Sequence, residues 1–273
     1  MYNSPMNIKL LALDMDDTLL GEDLKISPRN LEALKEAERR GIRVVLASGR
    51  APQAMTPFIA QLGMDKLEGY LIAFNGALVQ RTDTAKVEFR SPLDTQIGRG
   101  IWKECEEQGW ALQTYRGGEI FVNRLNEYTG LDTQLTGIPH RVVGEEEFFS
   151  EDPIKLIIPG EPEALAFFAQ KIRDKWKGQA NMFRSKPYFF EILSLSADKG
   201  LALEQLAKRH GFGAHQVMAM GDALNDHGML SWAGFPVAVA NALPEIKALA
   251  KVVTVADHNG DAVAEALYRY CFD

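Results

Sequence analysis

Short apolar runs recur along the chain, and several end abruptly in a polar cluster. Ile8 to Leu13, interrupted only by Lys9, stops at Asp14 and reads as a buried strand. Ser27-Pro28 then opens a helix, with Ser as N-cap and Pro in the first turn. Leu31, Leu34 and Ala37 share one face of it, and Gly41 closes it. Ile42 to Ala47 forms a second buried strand and delivers Ser48-Gly49-Arg50. Pro52 starts another helix, Tyr70 to Phe74 forms a third strand, and Asn75-Gly76 has the chemistry of a tight hairpin turn into Ala77 to Gln80. This alternation predicts an α/β fold, a doubly wound parallel sheet with helices on both faces.

From about Thr84 the texture changes. A helix-like stretch, Gln96 to Glu107, is followed by strand candidates at Ala111 to Tyr115 and Ile120 to Asn123. A polar, poorly periodic stretch leads to a strand at Ile154 to Ile158, a helix from Pro162 to Trp176, and strands at Ala180 to Phe183 and Tyr188 to Leu193. The βα rhythm resumes at Lys199, with a helix to His210 stopped by Gly211, then a strand from Val217 to Met220 delivering Gly221-Asp222. The expected organisation is one discontinuous core, residues 1–83 and 194–273, carrying an inserted α+β domain over 84–193.

Open parallel sheets bind ligands beyond the carboxyl ends of their strands. Asp14 and Asp16 follow the first strand, Ser48 the second and Asp222 a distant one, while Lys199 opens a helix of the same core. Three such carboxylates can hold a hard divalent cation, which prefers oxygen ligands, and the ion's charge turns an acidic cluster into a phosphate site. Composition narrows the partners. The net charge is −7, without a dense Lys/Arg stretch, which argues against nucleic acid and anionic membranes. No apolar run approaches the roughly 20 residues of a membrane span. The first residues lack a signal-peptide layout, so the cytoplasm is the expected compartment. Cys105 and Cys271 match no zinc or redox spacing, and the five histidines show no zinc-protease spacing. No Walker-type loop, strand-linked G-x-G-x-x-G or G-x-S-x-G elbow occurs.

Asp14-Met15-Asp16-Asp17-Thr18, Ser48-Gly49-Arg50, Lys199-Gly200 and Gly221-Asp222-Ala223-Leu224-Asn225-Asp226 resemble, in order, the four motifs of the haloacid dehalogenase superfamily. The Asn75-Gly76-Ala77 turn and the Pro187-to-Ile192 segment resemble its Cof-type sugar-phosphate phosphatases, whose cap lies between the second and third motifs. The resemblance implies a Rossmann-like core, a cap and a Mg²⁺-dependent phosphatase of small phosphorylated metabolites. In that reading Asp14 is the nucleophile that forms an aspartyl-phosphate, and Asp16 is the general acid and then the base. Asp14 and Asp222 bind Mg²⁺ by side chain and Asp16 by its backbone carbonyl. Ser48, Gly49, Lys199 and Asn225 bind the phosphoryl oxygens, Asp226 supports the metal shell and Thr18 braces the first motif. Arg50 touches substrate or pins the cap. The family usually has Gly where this chain has Asp17, which implies a turn compatible with an L-residue. A phosphomutase on the same scaffold is the alternative, and a non-catalytic metabolite-binding protein a further one. The sequence leaves a monomer or a homodimer equally open.

Overall fold

The computed structural model describes residues 7–272, which form two compact units. One comprises the chain up to Arg50, Thr56–Phe89 and the residues from Asp198 onward; the other comprises Ala51–Met55 and Arg90–Ala197.

The first unit is built on an eight-stranded sheet. Leu10–Asp14 lies inside it, with every residue buried. Arg43–Ala47 and then Tyr70–Ala73 add in parallel on one side. After the insertion the chain returns to the other side of the first strand, adding Val217–Gly221, Phe235–Ala238 and Val252–Val253, again in parallel. Crossovers of one hand that run in opposite directions put their helices on opposite faces, so the sheet is doubly wound. Accordingly Pro28–Arg39 packs against Ala262–Leu267, and Lys199–Arg209 packs against His227–Trp232. The strand order reverses between Leu10–Asp14 and Val217–Gly221, which opens a crevice beyond their carboxyl ends.

Local signals act where the sequence places them. The Ser27 side chain accepts from the Asn30 N–H at 3.1 Å to cap Pro28–Arg39, and Gly41 beyond its end has φ 79°. The hairpin forms differently from the two-residue turn expected at Asn75-Gly76. Ala73 pairs with Leu78, leaving four residues in the loop, and Phe74, Asn75 and Gly76 all have positive φ, at 50°, 53° and 97°. Gly76 is required there, because a Cβ would lie 2.2 Å from the Asp198 carbonyl oxygen.

The second unit has its own six-stranded sheet, antiparallel except where Glu119–Val122 meets His140–Val142. Leu156, Ile158, Phe190 and Ile192 from its strands pack with Trp102, Phe148 and Phe168 in one apolar core. The polar stretch without periodicity holds two short helices, Thr129–Thr136 and Glu145–Phe148, and the edge strand between them. Val87–Arg90, inside the insert by the sequence reading, is instead hydrogen-bonded into the eight-stranded sheet. Both cysteines are buried and free, and among the described residues no helix is long and apolar enough to cross a membrane.

Candidate active site

Asp14 is the last residue of its strand and only 5% exposed. Beyond it the N–H groups of Thr18, Leu19 and Leu20 converge on the Met15 carbonyl at 3.4, 3.0 and 2.8 Å. This tight turn puts Asp17 at φ 58°, in the left-handed region. The expectation of an ordinary L-residue turn is therefore corrected. The turn keeps a left-handed conformation that glycine adopts freely, and Asp is among the few other residues that tolerate it.

Lys199 is the first residue of its helix and has no exposed surface. Its Nζ donates to Asp14 Oδ1 at 2.6 Å and to Asp226 Oδ1 at 2.7 Å. Asp226, also fully buried, accepts through Oδ2 from the N–H groups of Asp222 and Ala223 at 3.0 and 3.1 Å. A Cβ on Gly221 would come within 2.6 Å of that carboxylate, so glycine is what lets Asp226 fold back beneath the strand end. Asp222 Oδ1 accepts from the buried Thr18 hydroxyl at 2.9 Å. Asp14, Asp222 and Asp226 each offer an oxygen within 4.8 Å of the others. Ionised, they exceed the charge of Lys199 by two.

The electrostatics follow from that crowding. Burial, and then the Asp226 charge, push the Asp14 carboxyl well above its ordinary range, against the pull of Lys199. Burial and Asp226 likewise push Asp222 up to about 6, opposed by the Thr18 hydrogen bond. Burial alone would lower the Lys199 ammonium, but Asp14 and Asp226 reverse the sign and raise it. The cluster thus favours positive charge beyond what one lysine supplies.

Asp14, Lys199 and Asp222 are brought together as the sequence groups them. The Asp16 carboxylate is not in the cluster. It is about half exposed, and the Arg50 guanidinium grips it through two hydrogen bonds of 2.9 and 2.5 Å. Asp16, through these bonds, also holds the Arg50 pKa above its usual value. Ser48 is buried at the end of its strand, with its N–H on the Ile72 carbonyl at 2.8 Å and its carbonyl accepting from the Asn75 N–H at 3.0 Å. Asn225 is exposed and donates to Asn75 Oδ1 at 3.2 Å, the same side chain that a Cβ on Gly49 would meet at 3.1 Å. Asn75, a turn residue by sequence, thus lies between two candidate phosphate-binding positions. Its signals were the Asn-Gly pair and the resemblance of the Asn75-Gly76-Ala77 turn, and neither pointed to the phosphate site. Asp226, expected from the fourth motif to support the metal shell and not among the direct ligands, also holds Lys199 directly, a contact that no sequence signal shows.

The model of the family described as haloacid dehalogenase-like hydrolase matches residues 11–267. The HMP-PP phosphatase of Serratia proteamaculans is 30% identical, over 96% of this chain and 95% of that protein. The phosphatase YwpJ of Bacillus subtilis is 29% identical, over 93% and 98%. Among solved structures, a haloacid dehalogenase-like hydrolase from Bacteroides thetaiotaomicron superposes with a TM-score of 0.87 at 30% identity, covering 96% of this chain and 99% of the other. With buried carboxylates and lysine meeting at the switch point of a doubly wound sheet, and a family match spanning nearly the whole length, the chain belongs to the haloacid dehalogenase-like hydrolase family.

Proposed function

We propose that this haloacid dehalogenase-type phosphatase hydrolyses small phosphomonoesters, sugar phosphates and similar metabolites among them, through a phosphoryl group carried on Asp14 with Mg²⁺ as cofactor. The observation that carries the reading is the fully buried Lys199 ammonium, 2.6 Å from Asp14 and 2.7 Å from Asp226. It fixes the rotation of the Asp14 carboxylate at the strand end and keeps positive charge where phosphoryl oxygens would gather.

The donor set fits a hard divalent cation, because it consists of oxygens and carries unbalanced negative charge. Both oxygens of Asp226 are already engaged, so Asp14, Asp222 and the Asp16 carbonyl would hold Mg²⁺ while Asp226 braces Lys199 and the Asp222 backbone. When bound, the ion supplies charge neutralisation for the phosphoryl oxygens. Ser48, the Gly49 N–H, Lys199 and Asn225 would hold those oxygens.

In the first step an Asp14 carboxylate oxygen attacks phosphorus, the bond from phosphorus to the ester oxygen breaks, and the departing oxygen takes a proton from Asp16. In the second, Asp16 takes a proton from water, whose oxygen attacks the same phosphorus. The bond to Asp14 then breaks, releasing inorganic phosphate and restoring both carboxyl groups. Arg50 holds the Asp16 carboxyl clear of the carboxylate cluster.

The test is Asp14→Asn, which keeps the shape and removes the attacking charge. The folded variant should release no phosphate from a panel of phosphorylated metabolites on which the parent turns over, and acid-quenched parent should carry phosphate on the peptide containing Asp14. Near-parental turnover by the variant would overturn the reading. Isomerised sugar phosphate in place of free phosphate would assign a mutase instead.

A further inference from the structure

Asn241 follows the strand Phe235–Ala238 and lies in none of the four motifs. Its side-chain amide donates to the Asp17 carbonyl at 2.7 Å, and its Oδ1 accepts from the His258 N–H at 3.1 Å. Two residues on, the Leu243 N–H donates to the Asp222 carbonyl at 2.9 Å. The segment 241–243 therefore grips both carboxylate-bearing loops, one by a side chain and the other by the backbone.

The Asp17 carbonyl is a sensitive place to hold. Asp17 has φ 58°, a conformation that an L-residue adopts at a cost, and such strain persists only where the surroundings over-determine it. Relaxing Asp17 towards ordinary backbone would rotate the peptide that joins it to Asp16. Within the turn, the neighbouring N–H groups close on Met15 and leave the Asp17 carbonyl to an outside donor, which Asn241 provides. The loop is held further along too, where the Glu22 N–H donates to Asn259 Oδ1 at 3.0 Å.

We propose that Asn241 is a positioning residue for the reaction: by holding the Asp17 carbonyl it keeps the left-handed turn closed and so aims Asp16. This rests on the role given to Asp16 above. Asn241 touches neither substrate nor reacting atoms; it acts on the Asp16–Asp17 peptide, whose carbonyl would also hold Mg²⁺, so at saturating Mg²⁺ its loss should appear in kcat and hardly in KM.

The experiment measures kcat and KM with an aryl phosphate and Mg²⁺ for Asn241→Ala and the nearly isosteric Asn241→Asp, each alone and with Asp17→Gly. Asp16→Asn serves as the control. Both single variants should lose about tenfold or more in kcat, the scale of losing an outer hydrogen-bond partner, with KM within about twofold. Glycine at 17 accepts the turn without strain, so Asp17→Gly should recover most of the loss. A purely structural role would lower the melting temperature and leave kcat per folded molecule unmoved. If Asn241→Ala does not fold, Asn241→Asp decides, since it keeps the acceptor for His258 and removes the donor for Asp17. A folded variant with parental kcat, or an equal loss in the Asp17→Gly background, overturns the proposal. An active Asp16→Asn would overturn the mechanism itself, which separates the two failures.

Discussion

Lys199 keeps its charge with none of its surface in water, and that is possible only because of its two carboxylates. Moving an ammonium out of water costs several kcal/mol, and a good partner geometry returns most of it. Here the partners stand at 2.6 and 2.7 Å, and their charges outweigh the burial that would otherwise strip the proton. Removing the cation leaves Asp14 and Asp226 buried against one another. Lys199→Met should therefore destabilise the protein by roughly 3–5 kcal/mol in chelator, the usual cost of breaking a buried ion pair from one side. Urea unfolding measures it. Mg²⁺ should return part of that loss by supplying another cation to Asp14, while turnover stays lost. A variant as stable as its parent in chelator would overturn the account of Lys199 as the counterion that Asp14 and Asp226 require.

The position of Lys199 depends in turn on how two helices meet. At the start of Lys199–Arg209, a Cβ on Gly200 would lie 2.3 Å from the Gly228 carbonyl carbon, in the helix His227–Trp232. A Cβ on Gly228 would fall 2.4 Å from an Asp198 carboxylate oxygen. Gly200→Ala must push the helix start away, carrying Lys199 with it. We expect a loss of about 1–3 kcal/mol, the range for overpacking, together with a fall in kcat. Lys208→Ala on the same helix, at an exposed site, should stay within roughly 0.5 kcal/mol. Equal stability of the two variants would mean that the crossing has slack. The sequence shows Lys199-Gly200 as a motif but not the helix that Gly200 touches, because periodicity describes an element and not its neighbour. The same limit runs through the fold. Leu10–Asp14, Arg43–Ala47 and Val217–Gly221 are legible, since strands buried on both faces are continuous apolar runs. Phe235–Ala238 is not: Pro236 argues against an interior strand, yet its carbonyl still accepts from the Lys251 N–H at 2.9 Å. Thr129–Thr136 is short and polar, and is held by Asp132 beneath Tyr115 and Gln113 rather than by an apolar stripe. At the site, residues that end strands could be read in advance. Asn75, Asn241 and the inward turn of Asp226 could not, because their partners are far away in sequence.

Two units with separate sheets and separate apolar cores need not respond alike to a ligand held by one of them. All of the carboxylates that would hold Mg²⁺ belong to the unit with the eight-stranded sheet. A ligand that binds only the folded form stabilises it by RT ln(1 + [L]/Kd), about 2.7 kcal/mol at a hundredfold excess over Kd. That increment acts on whatever opens cooperatively with the site. Adding Mg²⁺ to chelator-treated protein should therefore slow amide exchange in Leu10–Asp14 and Val217–Gly221, the strands that flank the switch point. Exchange in Gln113–Arg116 and Phe189–Leu193, inside the six-stranded sheet, should stay as it was. Ca²⁺ prefers more ligands and longer bonds than this compact set offers, so it should protect the first pair less at equal concentration. Hydrogen exchange read by mass spectrometry distinguishes the outcomes. Equal protection of all four strands would mean that the units open together and that the second sheet reports on the metal as well. Protection of none would remove the cation from the acidic cluster, and with it the role of Asp222.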